Sequence, residues 1–147
     1  ELAAIVAFWM WFFTMKGWLT DPKMMVLVLY QLLILSFILL QGSGYWFILL
    51  KRMSNPQFLV KHTGKIYRML KILDLVLICM GIPIMLWNRS KFGVTAFSVF
   101  LLMFAVIEWV NYYVVRLSYS YNPMVLIRHL KNGTLKKSRI AREIAKF

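Results

Sequence analysis

The sequence predicts an all-α membrane protein: a four-transmembrane-helix bundle from two tandem parallel hairpin repeats, each followed by a short cytoplasmic interfacial helix. Three observations predict it. The 147 residues are 61% hydrophobic, with a mean hydropathy of +0.69, whereas soluble chains run nearer ~45–50% apolar. The apolar residues fall into four runs, 2–19, 24–50, 66–87 and 94–115, each close to the ~20 residues a helix needs to cross a hydrocarbon core. The stretch that begins Asn55-Pro56 also returns at Asn122-Pro123. The length leaves room for a single membrane domain over residues 1–147.

The first run carries Phe8, Trp9, Trp11, Phe12, Phe13 and Trp18. At 1.5 Å per residue it spans about 27 Å, enough for one crossing. It opens at Glu1 without a methionine, so further residues are expected before it. No small-residue cleavage site follows it, so it reads as a span rather than a signal peptide. Asp21-Pro22 then marks a helix start, because proline at the first helical position forfeits no needed donor.

The second run is longer than a straight crossing requires and holds Gln31, Gln41 and the triplet Gly42-Ser43-Gly44. Missing side chains in that triplet invite another backbone to approach. Ser54-Asn55-Pro56 predicts a short interfacial helix over 56–62 that Gly64 ends. The third span, 66–87, contains Asp74 near its start and Pro83 past its middle, where a kink is expected. The fourth, 94–115, carries Glu108, Asn111 and Tyr112, with Arg116 just beyond. Spacings of three, four and eight put these on one helical face.

After the fourth span, Asn122-Pro123 predicts a helix that Asn132-Gly133 stops, and Thr134 a cap for a last one. Leu135, Ile140, Ile144 and Phe147 form its apolar stripe under Lys136, Lys137, Arg139, Arg142 and Lys146. Residues 123–147 therefore read as a cationic tail lying on the membrane surface.

The formal net charge of +13 is concentrated in two places. Lys51, Arg52, Lys61, Lys65, Arg68 and Lys71 occupy the middle connection, and eight further basic residues run from Arg116 to the end. The other two turns hold only pairs, Lys16 with Lys23 and Arg89 with Lys91. The excess of cations belongs on the cytoplasmic side, which puts both termini inside and the protein in the cytoplasmic (inner) membrane. The expected partners are the lipid bilayer and anionic phospholipids, with a protein partner or a second copy as further options. The same pattern argues against nucleic acid.

The repeat aligns Asn55-Pro56-Gln57-Phe58-Leu59-Val60-Lys61-His62 with Asn122-Pro123-Met124-Val125-Leu126-Ile127-Arg128-His129. It also pairs Tyr45 with Tyr112, Trp46 with Tyr113 and Gln41 with Glu108. Two crossings per unit return the chain to the same side, so the units are parallel. His62 and His129, beside Lys61 and Arg128, are then candidate contacts for a headgroup phosphate.

Depth counting puts Glu108, Gln41, Asp74 and Arg116 in one inner-half layer, with Asp74 and Arg116 level enough to pair. An acid in such a run demands a reason, because hydrocarbon does not solvate it. Glu108, Asn111, Tyr112, Arg116, Gln41 and Asp74 are the candidate ligand-binding set: either a buried network that fixes helix packing, or a cavity that takes an ionic or lipidic ligand. The layout of short helices with an intramembrane acid is similar to that of small multidrug-resistance transporters. Those carry the acid in the first helix, so no residue role carries over.

Catalytic patterns are missing from the sequence. It has no HExxH, no nucleophilic Ser or Cys beside a base, no glycine-rich phosphate loop and no cluster of acids for a metal. With five acids in all, no catalytic residue, metal or cofactor is expected. The expectation is a small membrane protein that binds or transports a ligand at the Glu108 layer. A non-catalytic accessory subunit docking through the cationic surface comes second, and a lipid-headgroup enzyme using His62, His129 and Glu108 third.

Overall fold

A computed structural model describes residues 1–88, 91–116 and 137–145. These form α1 (Leu2–Met15), a 3-10 turn (Lys16–Trp18), α2 (Pro22–Ser54), α3 (Val60–Trp87), α4 (Phe92–Tyr113) and a short α5 (Arg139–Ile144). The described residues contain no strand; an isolated bridge joins Val115 to Lys137.

Three helices, α2, α3 and α4, are long and apolar enough to cross a membrane, and α1 is a shorter apolar helix. At 33 residues α2 is about 50 Å long, well beyond a ~30 Å hydrocarbon core. Its start is as expected: the Asp21 side chain accepts from the Lys23 N–H at 2.9 Å, with Pro22 at the first turn. Its core-facing residues include Leu27, Leu32, Leu35, Ile38 and Leu39, so α2 is the central post of the fold.

Contacts set the helix directions. Glu1 meets Ser43 and Trp9 Nε1 donates to Ser36 at 3.0 Å, so α1 runs antiparallel to α2. Tyr67 donates to the Gln41 carbonyl and Gln31 Nε2 to the Gly81 carbonyl, so α3 is antiparallel as well. Gly42 lies against Tyr112 while Met24 and Val94 share one cavity, so α2 and α4 run parallel. Between α1 and α4 the contact is aromatic, with Trp11 stacked on Phe97 at 4.0 Å and Phe8 near Phe104 at 5.9 Å.

Two boundaries differ from the sequence expectation. There is no separate helix over 56–62: residues 56–59 turn, and α3 begins at Val60 and passes through Gly64 without a break. A Thr63 hydroxyl bond to the Leu59 carbonyl and Thr63's own burial hold that first turn. Leu59 stands at φ 53°, the left-handed region, and makes the corner before it. Gly64 is buried there, so its small size serves packing rather than termination.

The tail differs too. The expected helix from Asn122-Pro123, its stop and the Thr134 cap lie outside the described residues. Ser138 caps α5, accepting from the Ala141 N–H at 2.9 Å. This segment does not lie outward on a surface: Ile140 is buried in the core and Ile144 packs beside it. Ser138 donates to the Tyr112 carbonyl, Arg52 pairs with Glu143, and Arg68 donates to the Ile144 carbonyl at 3.3 Å. α5 is thus strapped across the end of the bundle where α2 and α4 finish.

Candidate functional site

The residues expected in one polar layer separate into two groups. Glu108, Asn111, Tyr112 and Arg116 line a cavity of about 320 Å³. Gln41 and Asp74 do not; they lie behind it in the interior, at 8% and 0% exposure. The division follows from helix geometry. Residues 108 and 112 lie along one stripe of α4, with Arg116 beyond its end, while Tyr113, one step around, points toward α2 and α3.

The interior group is a hydrogen-bonded knot joining three helices. Gln41 Nε2 donates to Asp74 Oδ1 at 2.8 Å, the Tyr113 hydroxyl donates to Gln41 Oε1, and Tyr67 donates to the Gln41 carbonyl at 2.9 Å. The expected Asp74–Arg116 pair is not formed: Asp74 takes an amide donor on α2, and Arg116 is exposed beyond the end of α4, on the cavity wall. Asp74 Oδ2 has no hydrogen-bond partner among the described residues. The sequence singles out Tyr113 only as the repeat partner of Trp46, and Tyr67 not at all; what marks them is their convergence on Gln41.

The cavity group is built differently. Gly42 forms part of the wall, and a Cβ there would overlap the Tyr112 ring. The glycine therefore lets α4 seat its tyrosine against α2, and the Tyr112 hydroxyl reaches across to donate to Glu1 Oε1 at 2.6 Å. The Ser43 hydroxyl donates to the other Glu1 oxygen at 3.3 Å. Glu108, half-buried, accepts from Asn111 Nδ2 at a long 3.4 Å. Tyr45, Trp46, Ser138, Arg139 and Ile140 complete the lining, with the Arg139 guanidinium 5.7 Å from the Trp46 ring centroid.

Two carboxylates, Glu1 and Glu108, thus face the same space as two guanidinium groups, Arg116 and Arg139. Sequence reasoning missed Glu1 and the α5 residues, because only the folded-back strap brings 138–140 beside α4. The available signal was the repeat: it flagged Tyr45 and Trp46 as partners of Tyr112 and Tyr113. It also aligned Gln41 with Glu108; Gln41 bonds Tyr113, while Glu108 lines the cavity.

His62 is exposed at the start of α3 and takes no part in the cavity. His129 and Arg128 lie outside the described residues, as does the side chain of Lys61.

The described residues are helical, and three of their helices, long and apolar enough to cross a membrane, mark an integral membrane protein with a charged cavity at one end. No protein-family model, curated protein or solved structure matches the chain.

Proposed function

We propose that this chain is a small polytopic membrane protein that binds or transports a small, ionic or lipidic ligand in the cavity around Glu108. One observation carries the reading: a cavity of about 320 Å³ sits at the end of an apolar bundle with charges of both signs on its wall. Its size is at the lower end of small-molecule sites, which run ~300–1,000 Å³. A wall of this kind complements a ligand that itself carries both charges. A cationic group fits Glu108, with Tyr45, Trp46 and Tyr112 offering ring faces, and an anionic group fits Arg116 and Arg139.

The reading takes α1 with its 3-10 turn as a fourth crossing and α1–α2 and α3–α4 as two tandem hairpin units. It places the cavity in the inner half of the cytoplasmic membrane with both termini inside. The antiparallel order within each pair and the parallel packing of α2 with α4 support it.

The test is binding of glycerophosphocholine, a soluble molecule with an ammonium and a phosphate, to the purified full chain. Glu108→Gln is expected to weaken it about 10- to 100-fold, the worth of one hydrogen bond to a charged group. Unchanged affinity with an intact fold leaves Glu108 only a packing role.

A second reading has its own support. Lys51, Lys65, Arg68, Lys137 and Arg142 are exposed around the end that α5 covers, a surface suited to anionic lipid or an acidic partner. An accessory subunit docking there is the alternative. Removing residues 134–147 then lowers binding to phosphatidylglycerol vesicles; unchanged binding ends it.

A further inference from the structure

The polar cavity does not end at its own walls. A groove of about 350 Å³ runs between α1 and α2, with Leu2, Ala3, Phe47 and Leu50 on its sides. Glu1 and Trp46 line both the groove and the cavity, so the two hollows adjoin across those two residues. Their chemistry differs. The cavity holds two acids and two guanidinium groups, whereas the groove beyond Glu1 and Ser43 is hydrocarbon. Leu2, Phe47 and Leu50 are open at its surface, the face that α2 turns to lipid when it crosses a bilayer.

The threshold between the hollows is made of side chains. The Glu1 carboxylate holds Tyr112 on the cavity side and Ser43 on the groove side, and Trp46 stands beside it under Arg139. Another wall is supplied by the strap, through Ser138, Arg139 and Ile140. Arg52–Glu143 and the bond from Ser138 to the Tyr112 carbonyl fasten that strap down. A solute arriving from the α5 side meets it, while a molecule already in the bilayer meets an open groove that ends at the Glu1 and Trp46 wall of the charged site.

We propose that the ligand is a zwitterionic phospholipid, with its ammonium at Glu108, its phosphate at Arg116 and Arg139, and one acyl chain in the α1–α2 groove. This rests on the reading of the cavity as a ligand site and adds the ligand's class and route. The groove supplies position rather than affinity, because a chain leaving bilayer for groove exchanges one apolar surrounding for another. Selection falls to the head, where opposite charges meet in a partly desolvated space.

The test places the full chain in vesicles with phosphatidylcholine or phosphatidylglycerol brominated in the chain, at equal mole fraction. Quenching of Trp46 is read as the difference from a Trp46→Phe chain. The zwitterionic lipid is expected to be enriched at Trp46 about tenfold over the Glu108→Gln chain, the equivalent of one charged hydrogen bond. Ala3→Phe, at an exposed position, fills the groove; it is expected to abolish the enrichment while leaving glycerophosphocholine binding unchanged. If Trp46 shows no preference but glycerophosphocholine still binds through Glu108, the ligand is a soluble zwitterion and the lipid assignment falls while the cavity stands. If neither binds, both readings fall. Enrichment that survives Ala3→Phe overturns the groove as the chain's seat.

Discussion

Two glycines on α2, two residues apart, are expected to answer the same substitution with opposite signs. At Gly44 an added Cβ meets nothing nearer than the Tyr67 hydroxyl at 3.7 Å, an ordinary contact. Gly44→Ala therefore collects the helix-propensity gain of about 0.8–1.0 kcal/mol with little opposing it. At Gly42 the Cβ falls within the Tyr112 ring, 2.8 Å from Cε2. Tyr112 is buried and its hydroxyl is bonded to the Glu1 carboxylate. The ring has to move, and that forfeits a hydrogen bond to a charged group, about 1.5–3 kcal/mol. Overpacking in a filled interior adds a cost of similar size, about 1–3 kcal/mol. After the propensity gain is subtracted, Gly42→Ala is left destabilised by about 1.5–5 kcal/mol. The assay is reversible unfolding of the full chain in mixed micelles, comparing both variants with the parent. A double-mutant cycle with Tyr112→Phe separates the two costs, because a shared loss of the Glu1 bond makes the pair less than additive. If Gly42→Ala proves as stable as Gly44→Ala, α4 does not seat Tyr112 on α2, and the cavity wall described above is wrong.

Further outcomes test the remaining architecture. Gln41→Leu strips Asp74 of its amide donor and Tyr113 of its acceptor; a loss of about 2–5 kcal/mol is expected, against nearly none for Asp74→Asn, which keeps the acceptor and removes a buried charge. The same unfolding assay ranks them, and equal losses contradict the knot. Arg52→Ala removes the pair with Glu143 and the bonds to Thr63 and the Phe58 carbonyl. Trypsin is then expected to cut at Arg139 and Arg142 at least about tenfold faster, with α1–α4 intact, since local opening follows local stability. Unchanged cleavage means that the strap is held elsewhere. Met53, 83% exposed, tests the orientation: in a Cys79→Ala background, Met53→Cys is expected to react with an impermeant maleimide only after the cells are opened. Reaction in intact cells reverses every statement about sides.

The fold was readable where the chemistry of the chain is one-sided. Asp21-Pro22 announced α2 because a cap and a first-turn proline act locally, and α2 and α4 followed from apolar length alone. The start of α3 was not readable. Gly64 and the basic residues around it look like a boundary, yet membrane helices continue past the hydrocarbon when tertiary contacts, here Thr63 with Leu59 and Arg52, hold the extra turns. The stripe Glu108–Tyr112 was legible from period alone, since period fixes which residues share a face; Arg116 lies past the end of α4 and meets the same cavity from there. Which face meets which neighbour is a matter of packing, so the count of depth merged Gln41 and Asp74 into the cavity group. Tyr113 was hidden by its type: a tyrosine near a span end reads as a belt residue until its hydroxyl is seen 2% exposed with its ring, on Gln41.

Ser138 carries a consequence for how the molecule is held together. Its one hydroxyl donates to the Tyr112 carbonyl at the finish of α4 and accepts from Ala141 at the outset of α5. Two helix ends therefore share a single atom, and the junction with α4 exists only when Ser138 stands beside Tyr112. A single change, Ser138→Ala, therefore releases the finish of α4 and the outset of α5 together.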